Sequence, residues 1–317
     1  MNLYRPDNIA VIIVNYNNAD LTIKCLESIF NLEQQPKDII VVDNSSYEYD
    51  RITSEWRNLS QIYKRIPHYL CTSLKKFPST GDIFISLKVN NGFSFANNIA
   101  IKSCLQRNTG YKGFWIVNND TILDRYSLKN ICKRMNSFPH IDICGSTILF
   151  LQNKNMIQCA SGGCISRITG RTQNILENTS LRQYSSVEQL KIESKLDYIN
   201  GASLFISMNV IQTIGLLSEE YFLYYEDCDF CIRAKRHNFY LGWAPDSIIY
   251  HADGASSKKS PKKLEYYSTR SRLYFLKNHT KFGKIVFIMT LPFFILSNFL
   301  RGNFSYMRTL YNILLKK

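Results

Sequence analysis

The chain has 317 residues, 45% of them hydrophobic, and carries 39 Lys and Arg against 25 Asp and Glu for a formal net charge of +14. That composition excludes a disordered or low-complexity protein, and the length suits one large α/β domain with an appendage, or two domains. The charge is uneven: residues 1–255 hold 26 Lys and Arg against 24 acids, while residues 256–317 hold 13 against Glu265 alone, so the excess describes a basic tail rather than a basic body.

Met1 to Asn8 shows no apolar h-region, so no cleavable secretion signal is expected. Ile9 to Val14 is a continuously apolar, β-branched run ending in Asn15-Tyr16-Asn17-Asn18, as in a strand buried on both faces of a parallel sheet. A helix follows, with Asp20 near its start and Ile23, Leu26, Ile29 and Phe30 on one face. Ile39 to Val42 is a second buried strand, ending at Asp43-Asn44. This β-α-β opening predicts a doubly wound α/β sheet with its ligand site at the carboxyl ends of the strands.

Residues 83–89 read as an alternating strand, Phe95 to Cys104 as a helix, Phe114 to Val117 as a strand ending in Asn118-Asn119-Asp120, and 125–136 as a helix. The stretch from 141 to 200 is irregular, and strand pairs with a mobile loop beside the main sheet are expected there. Glu226-Asp227-Cys228-Asp229 opens another helix, and Gly242 to Tyr250 is a strand ending at His251. Beyond it the apolar run from Ile285 to Leu300 would reach roughly 24 Å as a helix at ~1.5 Å per residue, with Pro292 in its middle. A bilayer core takes ~20 residues. An interfacial or re-entrant helix flanked by Lys281, Lys284 and Arg301 is the expectation.

The nine cysteines, mostly inside apolar runs, read as reduced core thiols of a cytoplasmic protein. Cys228 and Cys231 form a lone CxxC without the second pair a zinc ribbon requires. No GxxxxGK[ST], no GxGxxG after the first strand and no HExxH occurs, so a bound nucleotide would be held by side chains rather than a glycine cradle.

Three constellations could carry chemistry. Asp120, at a strand end beside two asparagines, suits either a hard divalent cation on diphosphate oxygens or an Asx turn. Glu226, Asp227 and Asp229 suit a helix N-terminus, with Asp229 pairing to Arg233, but two adjacent acids after an aromatic run exceed what a cap needs. An aromatic surround raises carboxylate basicity, so Asp227 is the candidate general base. His251 at its strand terminus is either structural or a metal or diphosphate ligand.

Val11-Ile-Ile-Val-Asn-Tyr-Asn17, Val41-Val-Asp-Asn-Ser45, Asn90-Asn-Gly-Phe93 with Asn97-Asn98, Asn118-Asn-Asp120, Asn200-Gly-Ala202, Gly215 through Tyr225-Glu-Asp-Cys-Asp229 to Arg233, and His251 follow one another in an order that resembles the family 2 glycosyltransferases, in particular the bacterial rhamnosyltransferase-like branch. The resemblance covers roughly residues 9–255. It implies a GT-A fold, a doubly wound, mostly parallel sheet flanked by helices over residues 1–255; the basic, apolar helical segment over 256–317 is expected from its composition to associate with a membrane. It further implies an inverting transfer from a nucleotide sugar, with Asp227 as base and Glu226 as the second catalytic residue. Asn15, Tyr16, Asn17, Asp43, Asn44, Gly92, Phe93, Asn97, Asn118 and Asn119 would line the donor, and Gly201, Ala202 and Tyr225 the acceptor. Asp120 and His251 would hold Mg²⁺ or Mn²⁺.

Two departures stand out: Ser94-Phe95-Ala96 replaces the family's glycine-rich stretch, and one carboxylate remains in the DxD-type triplet. The branch points to rhamnose on dTDP, with galactofuranose, glucose or an amino sugar as alternatives. The expected acceptor is a lipid-linked saccharide of a surface polysaccharide such as O-antigen, met at the cytoplasmic face of the bacterial inner membrane. Rival readings fit less well. A nucleotidyltransferase would place a glycine-rich basic loop where Asn15 to Asn18 stand. A nucleic-acid-binding protein leaves the acids at strand and helix ends and the apolar run beside the basic tail unexplained, and an inactive scaffold would be set aside by hydrolysis of a nucleotide sugar.

Overall fold

The computed structural model describes residues 3–71, 78–107, 109–252, 261–280 and isolated positions from 283 to 300. In chain order the elements are β1 (Ile9–Asn15), α1 (Ala19–Phe30), β2 (Asp38–Asp43), α2 (Tyr49–Ile62), β3 (Pro67–Cys71), β4 (Asp82–Ser86), α3 (Phe93–Arg107), β5 (Gly113–Asn118), β6 (Thr121–Leu123), α4 (Ser127–Ser137), β7 (Ile141–Phe150) and β8 (Asn153–Ala160). Then follow β9 (Gly162–Ile165), β10 (Thr172–Asn174), α5 (Ser186–Glu193), β11 (Tyr198–Ile199), β12 (Ser203–Ser207), α6 (Met208–Ile214), α7 (Glu226–Arg236), β13 (Tyr240–His251) and α8 (Pro261–His279).

The main sheet runs β3-β4-β2-β1-β5-β12-β7-β13-β6, with β8 added beside β7. From β3 to β5 every pairing is parallel. β12 enters antiparallel between β5 and β7, and β13 is parallel to β7. Every residue of β1 and β2 is buried, which their unbroken apolar sequences allow only with helices on both faces. The two-residue period shares them out: Ile9, Val11 and Ile13 pack with Leu26, Trp56 and Ile131 of α1, α2 and α4, and Ala10, Ile12 and Val14 with Ala96, Phe230 and Phe275 of α3, α7 and α8. The expected α/β doubly wound architecture is thus observed. The helix beginning near Asp20 is α1, with Leu26, Ile29 and Phe30 buried.

Some expectations change. Residues 83–89 do not alternate; β4 stops at Ser86 and is buried almost throughout, because it lies between β2 and β3 under helices on both sides. The irregular stretch from 141 stands only in part beside the main sheet. Its first part, β7, is an internal strand of that sheet, while β9, β10 and β11 form a separate three-stranded sheet. The basic segment expected from residue 256 begins, among the described residues, as α8 packed on the body, with Phe275 and Leu276 fully buried. Most of 285–300 lies outside the described residues. Of the positions described there, Ile285, Met289, Leu296 and Leu300 are helical and exposed. No described helix is long and apolar enough to cross a membrane.

Candidate active site at the carboxyl ends of the strands

The parallel register brings Asn15, at the end of β1, opposite Asp43, at the end of β2. The Asn15 amide donates to Asp43 Oδ1 at 2.7 Å and to Ser46 Oγ at 2.8 Å, and the Ser46 N–H donates to Asp43 Oδ2. Asn119 joins them through Asn15 Oδ1 at 3.3 Å and Thr22 Oγ1 at 2.8 Å. Asn15 and Asp43 are buried and occupied by one another, so they shape the loops, while Tyr16 stands exposed beside them. Asn44 donates to Asn90 Oδ1 and to the Gly92 carbonyl. Gly92 has φ +96°, and a Cβ there would come within 2.5 Å of the Phe222 carbonyl oxygen. That contact continues in the Phe93 N–H, which donates to the same carbonyl at 2.8 Å. The loop opening α3 is thereby fastened to the loop preceding α7. Asn97 donates to the Phe93 carbonyl.

Asp120 and His251 meet because β13 pairs antiparallel with β6, setting His251 against Thr121. The Ala252 N–H donates to the Asp120 carbonyl oxygen. His251 Nε2 lies 3.1 Å from Asp120 Oδ1, yet that buried carboxylate oxygen receives no hydrogen bond. His251 Nδ1 lies 2.9 Å from Gln158 Oε1. Since an amide oxygen only accepts, Nδ1–H is the donor to Gln158, and Nε2 is the ring nitrogen turned toward the carboxylate, where its lone pair would serve a cation. Two lone-pair-bearing ligands facing one another fit a divalent cation between them. No cluster of three or more His, Cys, Asp or Glu of metal-binding form occurs among the described residues. Further ligands would therefore be water and diphosphate oxygens, the usual habit of Mg²⁺.

The third group stands at the N-terminus of α7. Tyr224 and Tyr225 both have left-handed φ, 69° and 68°, an uncommon conformation for bulky residues. It is held by the Tyr225 hydroxyl donating to the Gly170 carbonyl, by Ser271 donating to the Leu223 carbonyl, and by the Phe222 ring stacked on Tyr267 at 4.4 Å. The turn delivers Glu226 and Asp227 together. Asp227 Oδ2 accepts from the Gly201 N–H at 3.0 Å and Oδ1 from the Cys228 N–H at 2.8 Å. Ala202, the next residue, accepts the Asn118 N–H, which links the acid to the β5 terminus. Burial pushes the Asp227 carboxyl up from its ordinary value while the Gly201 and Cys228 N–H groups pull it back. Glu226 is pushed up much further, first by burial and then by the Asp227 charge, and its Oε2 is buried with no partner.

The expected site residues therefore converge on one edge of the sheet in three linked groups. Asn44 Oδ1, Asn97 Oδ1, Asp120 Oδ1 and Glu226 Oε2 are all buried without partners, whereas native interiors satisfy nearly every such atom. Ala202 and Tyr225 are buried and present little side chain to an acceptor. Asp229 takes the structural role expected of it, pairing with Arg233 at 2.8 Å, and Cys231 Sγ accepts the Ile199 N–H inside the core. Two residues escaped the sequence reading. Tyr224 is half-exposed, and burial, then Glu226 and Asp120, raise its phenol, so it stands in the field of both acids; its aromatic run was the available signal. Gln158 carries no signal in the sequence, since its place depends on a strand irregularity.

Residues 6–270 match the model of the family described as glycosyltransferase like family 2. The low-salt glycan biosynthesis hexosyltransferase Agl10 of Haloferax volcanii is 22% identical over 282 residues, covering 88% of this chain and 78% of the relative. The dTDP-rhamnosyl transferase RfbF of Shigella flexneri is 24% identical over 281 residues, covering 86% and 81%. Among solved structures, the mannosyltransferase PcManGT from Pyrobaculum calidifontis in complex with GDP-Man and Mn²⁺ superposes with a TM-score of 0.55 at 16% identity, covering 99% of this chain and 77% of that one. The shared architecture is the GT-A fold.

Proposed function

Because this chain belongs to the family 2 glycosyltransferases, we propose that it moves a hexose, with rhamnose from dTDP-rhamnose the leading donor, onto a lipid-linked saccharide at a membrane surface. The observation that carries the reading is the row of buried, unpartnered oxygens on Asn44, Asn97, Asp120 and Glu226, groups held ready for a polar ligand at the edge where doubly wound sheets bind nucleotides. The rhamnosyl assignment is supported by the relative from Shigella flexneri and by the motif order. The hexosyl class is supported by both curated relatives.

The roles follow from position. Asn15, Tyr16, Asn17, Asp43 and Asn44 form the wall for the nucleoside, with Gly92, Phe93 and Asn97 closing it from α3. Asn118, Asn119 and Asp120 lie where the diphosphate would end. Asp120 and His251 would hold Mg²⁺ or Mn²⁺, which when bound supplies charge to stabilise the departing nucleoside diphosphate. Asp227, its carboxyl raised yet anchored by two N–H groups, accepts the proton of the acceptor hydroxyl as that oxygen attacks the anomeric carbon from the face opposite the diphosphate, inverting it. Gly201 fixes the Asp227 carboxylate through its N–H, so its contribution to the acceptor side is through backbone.

Membrane association is assigned to the C-terminal segment. Its Lys and Arg suit an anionic leaflet at ~1 kcal/mol per well-placed cation, and the exposed positions Ile285, Met289, Leu296 and Leu300 recur at helical spacing. A release assay over a panel of nucleotide sugars, with a membrane lipid extract as acceptor, tests the whole reading. Acceptor-dependent release of dTDP from dTDP-rhamnose is expected, and release from another donor alone reassigns the sugar.

A further inference from the structure

The hydrogen bond from His251 to Gln158 has a structural origin that the sequence hides. Along the β7–β8 pairing, Ile148 faces Cys159 and Leu149 faces Ile157, so Gln158 is an extra residue with no partner across the ladder. Such a bulge re-aims the side chain it carries, and bulges gather beside functional sites. Here the half-buried Gln158 sends its amide oxygen to within 2.9 Å of His251 Nδ1 on β13, a strand on the other side of β7. The opposite ring nitrogen then faces Asp120 Oδ1 at 3.1 Å.

We propose that Gln158 is a positioning residue for the metal site. By accepting the Nδ1–H it holds the His251 ring in the orientation and tautomer whose Nε2 lone pair points at Asp120 and at a divalent cation between them. The proposal rests on the reading of Asp120 and His251 as cation ligands. A partner on the second nitrogen is what gives a ligating histidine its direction, and losing one costs ~10–100-fold in metal affinity. With only two protein ligands, that direction matters more than in a closed cage.

The test uses the full chain and two readouts. Mn²⁺ binding is titrated by electron paramagnetic resonance, with Mn²⁺ alone and with dTDP or UDP present. Nitrogen NMR of the histidine rings, recorded without metal, reports the His251 tautomer. Wild-type protein is expected to show Nδ1–H, and Gln158→Leu to lose that signature and bind Mn²⁺ ~10–100-fold more weakly. Gln158→Glu, a stronger acceptor, should bind Mn²⁺ at least as tightly as wild type and keeps the test alive if the leucine variant does not fold. Wild-type Nε2–H, a leucine variant within twofold of wild type, or a tenfold loss in Gln158→Glu each overturns the assignment of Gln158. A wild-type chain that binds no Mn²⁺ in any condition refutes the cation reading itself, and with it the purpose given to Gln158.

Discussion

The adjacent acids at the start of α7 make the sharpest claim about chemistry, because the two side chains are treated differently by their surroundings. Asp227 has an N–H on each oxygen, from Gly201 and Cys228; Glu226 has a buried oxygen with no donor at all. When two neighbouring carboxyls compete for one proton, the charge settles where the donors are, so Asp227 is the more readily ionised of the two and Glu226 holds its proton more tightly. Asp227→Asn should then lower turnover ~10²–10⁴-fold, the usual contribution of a general base, with nucleoside diphosphate affinity preserved. Glu226→Gln keeps a hydrogen-bonding oxygen at the same place and should lower turnover far less than Asp227→Asn. Stability supplies an independent check. A carboxyl raised on folding binds its proton more tightly in the folded state, so stability falls as pH rises above the ordinary value of 4.5, at up to ~1.4 kcal/mol per pH unit for one proton. Glu226→Gln should abolish that share of the decline and gain most over wild type at the upper end of the window. Steady-state transfer and urea unfolding from pH 5 to pH 8 measure both. If Glu226→Gln were as inactive as Asp227→Asn and kept the wild-type pH slope, the division of labour would be wrong.

Asp120→Ala, His251→Ala and EDTA should each suppress transfer, and Mn²⁺ or Mg²⁺ should restore only the chelated wild type; full activity in chelator would remove the cation. Gly92→Ala forces a Cβ against the Phe222 carbonyl at a left-handed position, so a cost of ~1–3 kcal/mol and weaker donor binding should appear together in unfolding and nucleotide titrations. His279→Ala removes the partner lying 2.6 Å from buried Asp229 and should destabilise the fold by ~1–3 kcal/mol, with Arg233 still holding the carboxylate. Truncation after Thr280 should leave a folded enzyme that no longer sediments with anionic vesicles, and continued sedimentation counts against a membrane role for the tail.

The parallel half of the fold was readable because burial on both faces writes itself as unbroken β-branched runs; Ile9 to Val14 and Ile39 to Val42 need no tertiary information. β7 was not readable in the same way. Its Gly145, Ser146 and Thr147 interrupt the apolar pattern, and they are tolerated because a Cβ at Gly145 would strike Ser161 and Ile199 and because Ser146 is bonded to Ser203 and Ser247. β12 is similarly opaque, a short strand whose place depends on fitting between two others. The site residues at strand ends were legible as polar punctuation after apolar runs. What punctuation does not say is which of them face a ligand: Asn15 and Asp43 satisfy each other, whereas Asn44 and Asn97 keep an oxygen unpaired. That difference arises from partners distant in sequence.

The same distance explains why the net charge of +14 could be divided on paper but not its structural role. α8 belongs to the basic segment by composition, yet it packs as part of the catalytic body. Tyr267 stacks on Phe222, Ser271 holds the Leu223 carbonyl, Phe275 lies against Tyr225, and His279 reaches Asp229 two residues beyond Asp227. Phe222 in turn holds Phe93 at the start of α3. The turn that presents Glu226 and Asp227 contains two tyrosines in left-handed backbone, a conformation that persists only where surrounding contacts over-determine it, and α8 supplies much of that constraint. A cut at residue 255, where the charge balance changes, would therefore remove the support of the turn carrying Glu226 and Asp227 together with the tail. Through His279 the chain carries 33 Lys and Arg against 25 acids, so half of the basic excess of residues 256–317 already lies in the packed body, and the rest is carried onward from Lys281 and Lys284.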